Sequence, residues 1–245
     1  MSRISQSWAK PSLEARIGAH VHAWEKSRET GLRLPETFPF VSVSREFGCE
    51  GLPVALRLVE ILNERCRPSI PWVAYDQELL DKVAAELHLH RSVVEAIDGR
   101  RRDQMSQIFD SILNRRVDDT LMFRKLAEIA RSLAIHGHAV LVGRGSHLIT
   151  QDLKTALHIR LVAPRGWRVY KIASTRGLTQ REAEELVNRA EREREQFLHT
   201  FFVQDPEYPF YHDLVIDNAR FNLEQIVEIV FGALSARFGE RLVSA

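Results

Sequence analysis

Disulfides, membrane spans and a charge excess are all missing from this chain. Cys49 and Cys66 are its only cysteines in 245 residues, too few for a disulfide framework. The longest apolar runs fall far short of the ~20 residues a membrane span needs, and the opening MSRISQSWAKPSLEARIG carries no apolar signal core. With 34 Lys+Arg against 33 Asp+Glu, the net charge of +1 gives no pull toward nucleic acid or a membrane surface. Internal repeats and low-complexity tracts are absent too. The expectation is a cytoplasmic protein in a reducing compartment, with neither nucleic acid nor membrane as partner. What remains is globular material, 44% hydrophobic and 27% charged, enough for a core without staples and for one elaborated domain or two small ones.

Residues 1–37 read as an extension. SLEARIGAHVHAWEKSRE sets Leu13, Ile17, Val21 and Trp24 at helical spacing, GLRLPETFP breaks after it, and the segment offers a place for a protein partner to dock. From Phe38 strand-like and helix-like segments alternate. Phe40–Val43 predicts a strand, and Leu52–Glu64 a helix with Val54, Leu58, Ile61 and Leu62 on one face and Pro53 in its first turn. PWVAY predicts a second strand, DQELLDKVAAEL a helix beginning at Asp76, and residues 91–135 further helices. HAVLVG and ALHIRLVA read as strands, followed by a helix starting near Pro164 and a long helix opened by a Thr179/Glu182 capping box. The strand DLVID and a last helix with Leu223, Ile226, Val227 and Val230 inward complete the pattern. Such alternation predicts an α/β fold, a parallel sheet flanked by helices. The domain runs over 38–240, with a helical insertion over 76–135 and a lid region over 164–204.

One more absence sits at the most informative place. VSVSREFGCEGLPVALRL, residues 41–58, runs from a strand through Gly48 and Gly51 into a helix, the architecture of a phosphate loop. Glycines there let the backbone turn and approach an anion. Yet the pattern G-x-x-x-x-G-K-[ST] fails, because no lysine occurs between Lys26 and Lys82. By its glycines alone the stretch is an ordinary tight β–α turn. Arg45 alters that reading, since a guanidinium can supply phosphate charge in bidentate geometry.

SVSREFGCEG resembles the I-S-R-E-Y/F-G-S-G-G loop of the cytidylate kinase-like family, a branch of the P-loop nucleoside-monophosphate kinases. VAYDQELLDKVA, VLVGRGSHLI, VAPRGWRVYKI, AERERE and YHDLVIDN resemble further family segments, in the family's order, over roughly residues 40–235. The resemblance implies a kinase fold with ATP and Mg2+ as cofactors and nucleotides as partners. It places Ser44, Arg45, Gly48, Cys49, Glu50 and Gly51 at the ATP phosphates, and Asp76, Arg144 and Arg168 on the acceptor side. Arg189, Arg192 and Arg194 fall in the lid, and Arg45, Arg144 and Arg194 balance charge during transfer, because phosphoryl transfer rests on positioning and spread-out positive charge. Arg192 and Arg194 are two apart on a helix and cannot share a face, so at most one of them points at phosphate, and Arg194 is taken as that one. Asp76 can equally be a helix N-cap. Two departures from the family pattern stand out: the Ser/Thr that normally follows the loop lysine is replaced by Leu52, Pro53 and Val54, and Glu50 stands where the loop usually has glycine. A carboxylate there repels phosphate unless it turns outward or reaches a magnesium-bound water. The activity implied is phosphoryl transfer from ATP to a nucleoside monophosphate such as CMP; the alternative is a catalytically inactive nucleotide-binding or partner-binding module of the same fold.

Other signals carry less. The pairs His20/His22, His88/His90 and His136/His138 lack a third ligand at metal spacing, so no metal site is assigned to them. Cys49 reads as a small residue filling the loop, and GRRR at 99–102 as a solvated helix end. GRGSH lacks the spacing of a hydrolase nucleophile elbow.

Overall fold

The computed structural model describes residues 38–68, 70–76, 120–143, 145–202 and 211–242. Strand β1 (Phe40–Arg45) leads through the glycine loop into α1 (Gly51–Cys66), and β2 (Val73–Tyr75) follows. Then come α2 (Thr120–His136), β3 (Ala139–Val142), the short α3 (Ser146–Ile149), β4 (Ala156–Val162), α4 (Arg165–Arg176), α5 (Gln180–Phe201), β5 (Leu214–Asp217) and α6 (Leu223–Phe238). A single turn of 3-10 helix, Gly239–Leu242, closes the described chain. The strands form one sheet in the order β2-β3-β1-β4-β5, every pairing parallel. The expected α/β architecture is therefore present.

β1 lies at the centre, with Val41 opposite Val140 of β3 on one side and Leu157 of β4 on the other. Its alternation is unusual for a strand covered on both faces, because Ser42 and Ser44 take turns with the valines and are themselves buried. Buried hydroxyls need partners. Ser42 Oγ finds His158 Nδ1 at 2.6 Å and Ser44 Oγ finds His147 Nδ1 at 3.0 Å. The valine face packs on Val54, Leu58, Ile61 and Leu62 of α1 and on Ile226, Val227, Val230 and Leu234 of α6. Each such side chain, fully buried, contributes about 1.5–3 kcal/mol. Phe40 faces the other way, with Tyr75 and Leu141, against Leu126, Ile129, Ala130 and Leu133 of α2. Helices thus cover both faces.

Sequence and structure differ at several ends, each for a local reason. PWVAY predicts a longer β2, but the amide of Asn63 takes both backbone groups of Trp72, accepting from its N–H at 2.7 Å and donating to its carbonyl at 3.0 Å, so the ladder starts at Val73. α5 begins with the expected Thr179/Glu182 capping box, and α6 has a second one, Asn222/Gln225, that the sequence reading passed over. α3 and the closing 3-10 turn went unread, because four residues are too few to show periodicity. Residues 1–37 and, beyond Asp76, the helix expected from DQELLDKVAAEL lie outside the described residues.

Candidate functional site

Ligands in open parallel sheets bind beyond the carboxyl ends of the strands. In this fold that edge carries the loop after β1, flanked by the turn after β3 and by α4. Gly48 has φ +99, and a Cβ there would lie 2.9 Å from Arg168 Cβ, so only glycine lets the loop and α4 touch. Arg45 leaves β1 between two further glycines. A Cβ on Gly51 would come within 3.0 Å of Arg45 Cδ, and one on Gly143 (φ +80) within 2.1 Å of Arg45 Nη1. The guanidinium therefore occupies a slot that two absent side chains keep open.

Three loop amides already have acceptors. Cys49 N–H donates to Glu46 O at 3.1 Å, Gly51 N–H to Cys49 O at 3.0 Å, and Glu50 N–H to Oδ1 of the buried Asn218 at 2.8 Å. The cradle expected from the sequence is folded onto the protein's own acceptors. Glu50 does not turn to open solvent, as one way out of its repulsion required; its carboxylate meets Lys171 of α4, Oε1 to Nζ 3.0 Å.

A cleft of about 780 Å³ opens over this loop. Its floor is Ser44 to Pro53 with Gly143 and Gly145, and its walls are Lys171, Thr175 and Arg176 of α4 and a stripe of α5. That stripe is Ala190, Glu193, Arg194, Phe197 and Leu198, spaced as one face of a helix. Arg194 thus faces the cleft, whereas Arg189 and Arg192 are exposed outside it. The structure brings Arg45 and Arg194 to one cavity with Ser44, Gly48, Cys49, Glu50 and Gly51.

Arg168 has other work than the acceptor phosphate expected of it. It is 5% exposed. Its Nε donates to Ala163 O at 3.0 Å and lies 3.3 Å from Glu46 Oε2, and its Nη1 donates to Phe47 O at 3.2 Å and to Glu191 at 2.5 Å. Glu46 in turn accepts from Ala163 N–H at 3.0 Å. This knot ties loop, α4 and α5 together and leaves the Arg168 side chain out of the cleft. Asp76, half-buried after β2, is not a cleft residue either. Arg144 lies outside the described residues.

Cys49 is half-buried in the loop, and burial, with the Glu46 carboxylate next in effect, pushes its thiol up to about 12. It is a protonated, inert filler. His147, on the cleft floor beside Ser44, is held well below the ordinary histidine range by burial first and then by His212, His158, Arg194 and Arg160. Its imidazole is neutral and fixes the Ser44 hydroxyl. Of the His-x-His pairs, His136 and His138 turn their Nδ1 atoms to the carbonyls of Ser132 and Ile70, at 2.8 and 2.7 Å, and the other two pairs lie outside the described residues. Sequence reasoning missed Lys171 and Glu193, which lie inside α4 and α5 and reach the cleft only through packing, and His147, whose only signal was to follow the end of β3.

A parallel α/β sheet with an arginine-lined cleft over the loop of its central strand defines the class of protein. The sequence profile of the cytidylate kinase-like family matches residues 40–220, and the chain belongs to that family. A solved structure of an uncharacterized protein from Eubacterium ventriosum ATCC 27560 is similar in fold, with TM-score 0.63 and 16% identity over 82% of this chain and 100% of that one. The chain is also 29% identical, over 105 residues, to the uronate isomerase of Corynebacterium glutamicum; the match covers 43% of this chain and 20% of that relative, so it spans about a fifth of the relative's length.

Proposed function

We propose that this protein transfers the γ-phosphate of ATP to a nucleoside monophosphate, CMP or a related pyrimidine nucleotide. The observation that carries the reading is the cleft that Arg45 lines from its floor and Arg194 from its α5 wall, together with the glycine loop. Two guanidiniums from separate elements suit a reaction whose transition state spreads negative charge over several oxygens. On this reading Arg45 sits at the donor phosphates, Arg194 closes from the lid region 164–204, and Arg144 completes the set. Asp76 and the insertion 76–135 belong to the acceptor side, within a domain over 38–240 of a cytoplasmic enzyme. Mg2+ brought in with ATP neutralises phosphate charge and asks for only one or two protein oxygens, for which the Ser44 hydroxyl and the Glu193 carboxylate line the cleft. Cleft volume also suits the task, since ligand sites run to about 300–1,000 Å³.

One observation favours a second reading, a nucleotide-binding module without turnover: the amides of Cys49, Glu50 and Gly51 are occupied by the protein itself. A phosphoryl-transfer assay with ATP, magnesium and a panel of ribo- and deoxyribonucleoside monophosphates decides. Kinase activity predicts turnover with CMP or a relative, reduced about 10²–10³-fold in Arg45→Ala and in Arg194→Ala. Absence of turnover with every acceptor, while ATP still raises the melting temperature, selects the binding module.

A further inference from the structure

We infer that Lys171, from α4, is the ammonium of the phosphate site, and that the Glu50 carboxylate holds its place until phosphate arrives. This inference rests on the proposal that the cleft takes nucleotide phosphates. The loop after β1 has no lysine of its own, yet a lysine stands over it. Contact between Gly48 and Arg168 brings α4 against the loop. Lys171, three residues on from Arg168 and therefore on a neighbouring face of that helix, lines the cleft together with Arg45 and Arg194. Its Nζ meets Glu50 Oε1 at 3.0 Å, and both side chains keep about a third of their surface open, 33% and 31%.

The pairing places a carboxylate of the loop itself on a cation of the cleft wall. Glu50 makes no capping hydrogen bond to α1, although it occupies the N-cap position, so its carboxylate is committed to the cleft and not to the helix end. Backbone and side chain of this one residue have separate partners, Asn218 and Lys171. A partly exposed ion pair of this kind is weakly held. A triphosphate carries more charge than one carboxylate and offers several oxygens, so it displaces Glu50 and takes the ammonium. Lys171 then provides from a neighbouring helix what a loop lysine provides from within, a compact point charge on a flexible stem. The repulsion expected from Glu50 becomes a competition for Lys171.

Equilibrium titration of the full chain with ATP, and separately with inorganic tripolyphosphate, at low salt tests this. Wild type is compared with Glu50→Gln, Lys171→Met, the double variant and Arg45→Ala, each first checked for an unchanged thermal melt. Arg181→Ala, on exposed surface outside the cleft, serves as control. Glu50→Gln is expected to tighten tripolyphosphate about fivefold and Lys171→Met to weaken it about tenfold. The gain from Glu50→Gln should vanish when Lys171 is absent, since the two act on one contact. Binding that Arg45→Ala weakens but that ignores both Glu50→Gln and Lys171→Met overturns the inference and leaves the proposed function standing. If no variant binds either probe, both fall together.

Discussion

Acidification from pH 7.5 to 4.5 should strip this fold of stability through histidines that the sheet buries neutral. Burial pushes His138 and His158 down to about 4, and His147 well below its ordinary range. The unfolded chain returns each to about 6.5. Because the folded values are the lower ones, the unfolded state takes up protons first as the pH falls. The contribution is fully present above about 6.5 and is lost progressively down to about 4. For His138 and His158 the gap is about 2.5 pH units, and at 1.36 kcal/mol per unit each costs about 3 kcal/mol by the bottom of that window. Against a domain stability of about 5–15 kcal/mol this is enough to unfold much of the population. Within the window each of the three histidines adds nearly one proton, so the slope should approach 4 kcal/mol per pH unit. Asp152, which burial pushes up but the bidentate Arg131 more than pulls back, is held below the ordinary carboxylate range, so its contribution is lost mainly at lower pH than the histidines'. Urea unfolding followed by far-UV circular dichroism at pH 7.5, 6.5, 5.5 and 4.5 measures it. A midpoint that stays constant across these buffers would refute the reasoning, and His158→Gln should remove about a third of any slope found.

The same structure yields further expectations. Gly48→Ala combines a positive φ, costing about 1–2 kcal/mol, with a methyl 2.9 Å from Arg168 Cβ; a loss of about 2–4 kcal/mol in chemical denaturation is expected, together with loss of ATP binding, and an unchanged variant would show that the loop does not lean on α4. Arg168→Met leaves Glu46 and Glu191 without their shared cation and should cost about 3 kcal/mol, partly restored in Arg168→Lys. Cys49, with its thiol near 12, should resist iodoacetamide at pH 8 in the native state and react once urea unfolds the chain; rapid native labelling, read by mass spectrometry of the Cys49 peptide, would contradict the burial argument.

How much of this was legible beforehand depends on the range of the interaction. Strand and helix alternation, the Thr179/Glu182 box and the inward face of α6 are local matters, set by spacing and by residues three or four apart. The family resemblance was local too, carried by short segments in order. Helical geometry alone said that Arg192 and Arg194, two apart, could not both reach the cleft; which of them does was decided by how α5 packs. Arg168 could not be judged that way: its partners Glu46 and Glu191 lie 122 positions before it and 23 after it, and nothing in VAPRGWRVYKI says that its guanidinium turns inward to the loop.

Sequence by itself therefore determined the parallel α/β plan, the glycine loop and the missing lysine, because propensity, capping and periodicity act within a few residues. Tertiary structure alone decided what fills that absence. The pairing of Glu50 with Lys171, the slot that Gly51 and Gly143 leave for Arg45, and the meeting of Ser44 with His147 join positions up to 121 residues apart. Strand order and helix packing bring those positions together, and electrostatics within the cleft then assigns each charge its partner.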